Sequence, residues 1–240
     1  MKTSESMEIV LRTDIPFRID PAAVARDLEA EGNAVSVETL ERLAAEARSV
    51  GRPKILIRPA AVSGVEENAV RLGEYRFSSR AMAVHFAEAS RVFPYLATAG
   101  TELADWVESL PDSARTAGDR MAEAALGAAL SAVETEVRDR FGIDGLARVH
   151  PGSLVDWDLS EQRILFDFLG DTRGRIGVRL DGNLWMHPPK SGSGIVFPDR
   201  TGFVVCRLCP VSGCRLRRAD FEPGRYERCY GAPQPASSAS

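Results

Sequence analysis

The feature that most constrains the fold is a long segment without proline, DSARTAGDRMAEAALGAALSAVETEVRDRF, at residues 112–141. It is rich in alanine between Ala122 and Ala132, and alanine has the highest intrinsic helix propensity. The segment therefore predicts one long helix. Because its side chains are small, neighbouring elements can pack closely against it, and we expect it to be central in the fold.

Shorter helices and strands are predicted before and after this segment. Asp20 followed by Pro21 is a typical helix start, so residues 21–31 are predicted to be helical, and a second helix over 36–50 should end at Gly51. The further expectations are strands over 54–62 and 94–100, helices over 78–93, 101–110 and from Ser160, and a loop over 147–157.

The C-terminal part predicts a hairpin and further strands. Two alternating runs in RIGVRLDGNLWMHP flank Asp181-Gly182, a dipeptide that favours a two-residue type I′ turn. KSGSG, at 190–194, is expected to be a flexible connector, and IVF and GFVVC are strand candidates. The last ten residues, 231–240, cannot bury a core and are expected to be disordered.

These elements predict an α/β (α+β) fold in which helices pack on a mixed or antiparallel sheet. With 240 residues, 44% of them hydrophobic, the chain can form one large domain or two small ones. We expect one α/β domain over residues 1–205, a cysteine-rich metal-binding segment over 206–230, and the tail over 231–240.

Charge and hydropathy exclude several classes of protein. A formal net charge of −4 argues against nucleic acid as a partner, because coating its backbone requires a basic surface. No apolar run reaches the roughly 20 residues of a membrane helix, and the N-terminus lacks the apolar core of a signal peptide, so a cytoplasmic protein without membrane contact is expected. No catalytic triad, phosphate-binding loop or carboxylate pair stands out, and catalytic residues are not assigned.

All four cysteines lie close together in the sequence, at Cys206, Cys209, Cys214 and Cys229. In a reducing compartment disulfides rarely persist, so the spacing C-x2-C-x4-C-x14-C predicts four thiolate ligands to a metal centre. Both a 4Fe–4S cluster and zinc accept this ligand set. Pro210 directly after a ligand favours the cluster over zinc, which would act as a structural staple.

The arginines of the same segment admit two interpretations. They outnumber the acidic residues there, so they either offset the charge of metal-bound thiolates or form a docking patch for an acidic partner. They are Arg207, Arg215, Arg217, Arg218, Arg225 and Arg228.

Three stretches carry a resemblance to a known family: ARVHPGSLVDWDLSEQRILFDFL, IGVRLDGNLWMHPPKSGSGIVF and ATAGTELADW. Together they resemble the activation domain of cobalamin-dependent methionine synthase, and still more the free-standing proteins related to that domain. The resemblance covers about half of the chain and is diffuse before Tyr75. It implies a shallow groove that binds S-adenosylmethionine, and remethylation of an oxidised cobalamin after one-electron reduction.

The resemblance also implies which residues form the groove. Arg148 would hold the carboxylate of the ligand, and Gly152 would let the backbone approach it. Met186 and Ser191 match the opposite wall, and His150 or His187 could reach the cobalt or a phosphate. Ser153 stands where the family has tyrosine, which is a departure from the ligand-binding pattern.

Two functions are consistent with these features. The first is an accessory protein that binds S-adenosylmethionine, a corrinoid protein or a cobalamin-binding methyltransferase, and supports reductive activation of cobalamin with its own cluster or a separate electron donor. The second is a non-catalytic, metal-stabilised module that only docks a cobalamin-binding partner. A nucleic-acid-binding zinc protein is disfavoured, because the rest of the chain is acidic.

Overall fold

A six-stranded antiparallel sheet forms the centre of the protein, with helices packed on both faces. The computed structural model describes residues 8–232. Within this range the helices are α1 Pro21–Ala30, α2 Val37–Val50, α3 Arg80–Phe86, α4 Thr101–Ser109, α5 Asp112–Phe141, α6 Gln162–Leu169, α7 Thr172–Ile176 and α8 Arg225–Tyr230. The strands are β1 Val10–Arg12, β2 Lys54–Ile57, β3 Ala60–Ala61, β4 Gly64–Glu66, β5 Ala69–Leu72, β6 Tyr75–Ser78, β7 Arg91–Thr98, β8 Leu146–Val149, β9 Arg179–Leu180, β10 Met186–His187 and β11 Ser191–Pro198.

The strand order of the main sheet is β1-β2-β7-β11-β8, and β3 pairs with the N-terminal end of β7. Side chains alternate between the two faces, so Phe93 and Tyr95 of β7 contribute to one core and Val92 and Leu96 to the other. Because both faces of the sheet are covered, the sequence of β7 is a nearly continuous apolar run, in which apolar and polar residues do not alternate.

The predicted central helix is α5, which packs on one face of the sheet together with α1, α2 and α4. Its buried side is lined with small residues such as Ala117, Ala125 and Ala129, which allow close packing. The opposite face is covered by α3, α6, α7 and the aromatic side chains of α8. The predicted mixed fold with antiparallel sheets and packed helices is confirmed.

Two smaller sheets complete the fold, a three-stranded β4-β5-β6 meander and the β9-β10 hairpin. The predicted hairpin is present, but the prediction that a two-residue type I′ turn connects its strands is wrong. The connection runs from Asp181 to Trp185, whose amide donates to the Asp181 side chain at 3.0 Å, and Leu184 takes the positive φ of 66°. The Asp181 carboxylate organises a longer turn than the dipeptide suggested.

Four further predictions from the sequence are wrong. The helix predicted over 78–93 ends at Phe86, and Arg91–Phe93 belongs to β7. The expected flexible connector at 190–194 is largely the first half of β11, which pairs with β7 on one side and with β8 on the other from Ile195 onward. The loop expected over 147–157 begins as β8, and GFVVC forms no strand but enters a short 3-10 helix at Val205–Arg207.

No helix among residues 8–232 is long and apolar enough to cross a membrane. Most of the tail predicted to be disordered, residues 233–240, lies outside the described range.

Candidate functional site

A cavity of about 480 Å³ lies between the C-terminal half of α5, strands β8 and β11, and the start of the cysteine-rich segment. We call it the Arg148 cavity. Its walls are mostly apolar. The lining residues are Leu126, Leu130, Glu134, Leu146, Ala147, Arg148, His150, Pro151, Gly152, Ser153, Leu159, Gln162, Met186, Ser191, Gly192, Ser193, Phe203, Val204, Val205, Cys206, Cys209, Val211, Cys214, Leu216 and Arg218.

Of the residues that the sequence assigned to a ligand groove, all except His187 line this one cavity. Arg148 and His150 come from β8 and its end, Gly152 from the following turn, and Met186 and Ser191 from β10 and β11. They span 44 positions in the sequence and meet because β8 and β11 are neighbours in the sheet. The structure thus brings the predicted groove residues together, and their role in binding stays a prediction.

The turn after β8 holds Gly152 in a conformation that suits glycine. Its φ is +76°, and its amide donates to the carbonyl of Trp157 at 2.8 Å. Ser153 is buried, and its hydroxyl accepts a hydrogen bond from the amide of His150 at 3.1 Å. The residue at the position of the family tyrosine is therefore used to shape the turn and to fix the backbone of His150.

Arg148 is mostly buried and already has an acidic partner. Its Nη1 lies 3.3 Å from Oε1 of Glu134 on α5 and 3.5 Å from the carbonyl of Leu130. The same Glu134 oxygen accepts a hydrogen bond from Nη1 of Arg218 at 2.9 Å. Two guanidinium groups thus share one carboxylate at the cavity wall, which leaves an excess of positive charge for an anionic ligand group.

His150 is held in one tautomer by the strand beside it. Its Nδ1 lies 3.0 Å from the carbonyl oxygen of Ser193 and 3.2 Å from Oη of Tyr95. A carbonyl can only accept, so Nδ1 carries the proton and Nε2 presents a lone pair. Burial, reinforced by the nearby charge of Arg148, lowers the pKa of His150 to about 4, so the ring is neutral at pH 7.

Met186 and Ser191 contribute differently from each other. Met186 is half-buried and offers an adaptable apolar contact to the cavity. The hydroxyl of Ser191 is hydrogen-bonded with Oγ1 of Thr98 at 2.9 Å and with the carbonyl of Pro188 at 2.7 Å. Ser191 therefore anchors the start of β11 against β7.

Glycines in β11 let the strand approach its neighbours. A Cβ at Gly194 would lie 2.3 Å from the carbonyl oxygen of Val149 and 3.0 Å from Nδ1 of His150. A Cβ at Gly192 would meet only Cδ2 of Leu130, at an ordinary 3.5 Å. Gly194 is thus required for the close packing that positions β8, which is the reason why a glycine-rich run forms a central strand here.

Gln162 is a cavity residue to which the sequence assigned no binding role. It begins α6, is only 3% exposed, and its Nε2 is buried without a hydrogen-bond partner among residues 8–232. The preceding Glu161 accepts hydrogen bonds from the amide of Ser78 at 2.9 Å and from Nε1 of Trp157 at 3.1 Å. Burial raises the pKa of Glu161. These contacts fix the start of α6, and with it Gln162.

The four predicted metal ligands are only partly brought together. Cys206, Cys209 and Cys214 line the Arg148 cavity, whereas Cys229 lies on α8 and is exposed. All four are free thiols. Within residues 8–232, no three His, Cys, Asp or Glu side chains lie close enough together to hold a metal ion. The described arrangement is therefore not an assembled metal site.

Arginine side chains hold the cysteine-rich segment over the cavity. The guanidinium of Arg217 donates to the carbonyls of Cys206 at 2.8 Å and Cys209 at 3.1 Å, so it fixes the loop that carries both thiols. Arg215 pairs with Glu31, which directly follows α1, at 3.2 Å and with Glu123 of α5 at 3.0 Å. Arg217 therefore fixes the segment internally, and Arg215 attaches it to the domain.

The other two histidines lie outside the lining of the cavity. Nε2 of His85 lies 2.7 Å from Oη of Tyr230, and burial lowers the pKa of His85, so this residue packs α8 against the domain. His187 lies 2.8 Å from Oδ2 of Asp181, and this contact lowers the pKa of that carboxyl. Neither histidine faces the same cavity as His150.

Comparison with known proteins identifies a solved structure with a similar fold. No protein-family model and no curated protein sequence matches the chain. Among solved structures, the fold is similar to the MetH reactivation domain, in a crystal structure with bound AdoHcy, with a TM-score of 0.54. The match has 15% sequence identity and covers 77% of this chain and 69% of that one. This supports an activation-domain-like fold.

Proposed function

We propose that this protein binds S-adenosylmethionine in the Arg148 cavity and supports the reductive activation or remethylation of cobalamin held by a methyltransferase or corrinoid partner. One observation carries the proposal: the five groove residues named from the sequence line a single cavity, in a fold similar to a reactivation domain that binds AdoHcy. The coincidence of an independent sequence pattern and an observed cavity is what supports this function over others.

The chemistry of the cavity suits such a ligand. The apolar walls from Leu126, Leu130 and Leu159 can cover a nucleoside, because small-molecule sites are mostly apolar with a few polar groups. Arg148 and Arg218 can hold the ligand carboxylate, and Glu134 between them can face a sulfonium. In the proposed function, the cavity residues would hold S-adenosylmethionine as the methyl donor, and a cobalamin held by the partner, together with a one-electron donor, would supply the acceptor and the reduction.

Titration calorimetry with S-adenosylmethionine tests the binding. Arg148→Ala should weaken binding about tenfold to a hundredfold, because a charge-assisted hydrogen bond contributes roughly 1.5–3 kcal/mol. Arg48→Ala is the matched control, since Arg48 is exposed on α2 and does not line the cavity. No heat of binding with the wild type, or equal affinity in both variants, would contradict the proposal.

We also propose that the cysteine-rich segment holds a metal centre through Cys206, Cys209, Cys214 and Cys229, a 4Fe–4S cluster in preference to zinc. The clustering of all four thiols in the sequence supports it, as does the presence of three of them at one cavity. The thiols lie apart in the structure, so metal binding has to draw the loop and α8 together. A 4Fe–4S cluster would supply one-electron redox chemistry, whereas zinc would only be structural.

Elemental analysis of anaerobically purified protein tests the metal proposal. A cluster requires about four iron and about four sulfide per chain, and zinc about one per chain. Cys209→Ser should lose the metal because a hydroxyl is a poor ligand for soft metals, while Ser212→Ala in the same loop should retain it. Protein without either metal would refute this site.

The second candidate is a docking module without ligand chemistry. It is favoured by Ser153, whose hydroxyl is hydrogen-bonded in the turn where the family has tyrosine, and by the pairing of Arg148 with Glu134. A docking module should form a complex with a cobalamin-loaded partner in gel filtration regardless of Arg148→Ala. Loss of methylcobalamin formation in that variant would instead favour the first function.

A further inference from the structure

Gln162 presents a polar group that nothing else in the described protein explains. Its side chain is 3% exposed, yet its Nε2 has no hydrogen-bond partner among residues 8–232. A buried amide without a partner destabilises a fold, since it loses its hydrogen bonds to water and gains none. An apolar residue at this position would avoid that loss of folding free energy. The amide is therefore better explained by a role in binding than by a role in folding.

The position of Gln162 points to a ligand. The residue lines the Arg148 cavity together with Arg148 and His150. It is also rigidly placed, because α6 begins there and Glu161 is tied to Ser78 and Trp157. An unpaired donor on a rigid element at a cavity wall is the arrangement expected of a preorganised recognition group.

The charges of the groups on the ligand indicate which of them the Gln162 amide would contact. In the proposed function, Arg148 and Arg218 would hold the carboxylate of an S-adenosyl ligand, and Glu134, which contacts both guanidinium groups, would face its sulfonium. A neutral amide is suited to the neutral nucleobase, because it can donate through Nε2 to a ring nitrogen and accept from the 6-amino group through Oε1. Glutamine and asparagine pair with adenine in this bidentate way when proteins read DNA.

We propose that Gln162 recognises the adenine edge of the ligand in the Arg148 cavity and thereby selects a 6-aminopurine. The inference rests on the proposed function and adds its specificity-determining residue. Because the site would be built to pair with the amino group, a ligand without that group leaves Oε1 unpaired and binds more weakly.

The test combines one variant with one ligand analogue. Wild type and Gln162→Met are titrated with S-adenosylhomocysteine and with its analogue that carries hydrogen at purine position 6. Methionine keeps the length of the side chain and removes the amide. We expect wild type to bind the 6-amino ligand about tenfold more tightly than the analogue, and Gln162→Met to bind both equally and about tenfold more weakly than wild type binds the amino ligand.

Thermal unfolding without ligand separates recognition from a structural role. If Gln162 serves the ligand, Gln162→Met should be at least as stable as wild type, because an unpaired buried amide is replaced by an apolar group. Binding of S-adenosylhomocysteine by wild type with no preference for the 6-amino group, or a lower melting temperature of Gln162→Met, would overturn the inference and leave the proposed function standing. If the wild type binds neither ligand, both the inference and the proposed function are refuted.

Discussion

Replacing Gly194 by alanine should damage both the fold and the site, and the geometry gives the magnitude. The added Cβ would lie 2.3 Å from the carbonyl oxygen of Val149, a backbone atom that no rotamer change can move. An ordinary contact begins at 3.4 Å, so β8 has to shift by about 1 Å. Overpacking of this kind costs about 1–3 kcal/mol. For a chain of this size it lowers the melting temperature by roughly 2–12 °C.

The same shift should weaken ligand binding, because β8 carries Arg148 and is followed directly by His150. Gly192→Ala is the matched control, since it lies on the same strand and its Cβ would only touch Leu130 at 3.5 Å. We expect the control to keep the wild-type melting temperature, because its added Cβ meets no backbone atom. If thermal unfolding gave the two alanine variants the same stability, the packing argument would be refuted.

Two further predictions concern His150 and Arg217. The folded pKa of His150 is about 4, below its ordinary 6.5, so the unfolded chain binds more protons between these values. The unfolding free energy should fall as pH drops from 6.5 to 4 by up to roughly 3 kcal/mol, at 1.36 kcal/mol per pKa unit. His150→Gln should show a shallower slope in denaturant titrations, and an equal slope would contradict the assignment. Arg217→Met should release the loop carbonyls of Cys206 and Cys209 and speed alkylation of these thiols, measured by mass spectrometry, whereas Arg228→Met should not.

The sequence was most informative where local signals are strong. Helices α1, α2, α4 and α5 were predicted to within a few residues, because Asp20 and Ser36 cap helix starts with hydrogen bonds and the left-handed Gly142 ends α5. These signals act within one turn of the chain. No knowledge of the tertiary neighbours was needed to interpret them.

Strands were harder to predict because their signals depend on tertiary neighbours. SGSG has the composition of a linker, yet it is the start of central strand β11, since β8 comes too close at Gly194 for a larger side chain. Val92 and Phe93 were assigned to a helix because β7 is buried on both faces and shows no alternation. Short strands such as β4 and β6 also lack the length that makes a sequence pattern recognisable.

The groove residues were predictable only through the resemblance, since a lone arginine and glycine four positions apart is a weak pattern. The sequence could not show that Ser191 binds Thr98 or that Arg148 pairs with Glu134, which lies 14 positions earlier on α5. Gln162 was visible as part of the resembling stretch, but its unpaired amide emerges only when burial is known.

Photoaffinity labelling with an azido derivative of S-adenosylhomocysteine tests the central claim most directly, because it locates the ligand as well as detecting it. We expect the label on peptides that contain the cavity walls, residues 126–134, 148–162 or 203–218, and we expect excess S-adenosylmethionine to prevent labelling. Labelled peptides elsewhere in the chain, or labelling that S-adenosylmethionine does not suppress, would contradict the claim that the Arg148 cavity is the ligand site.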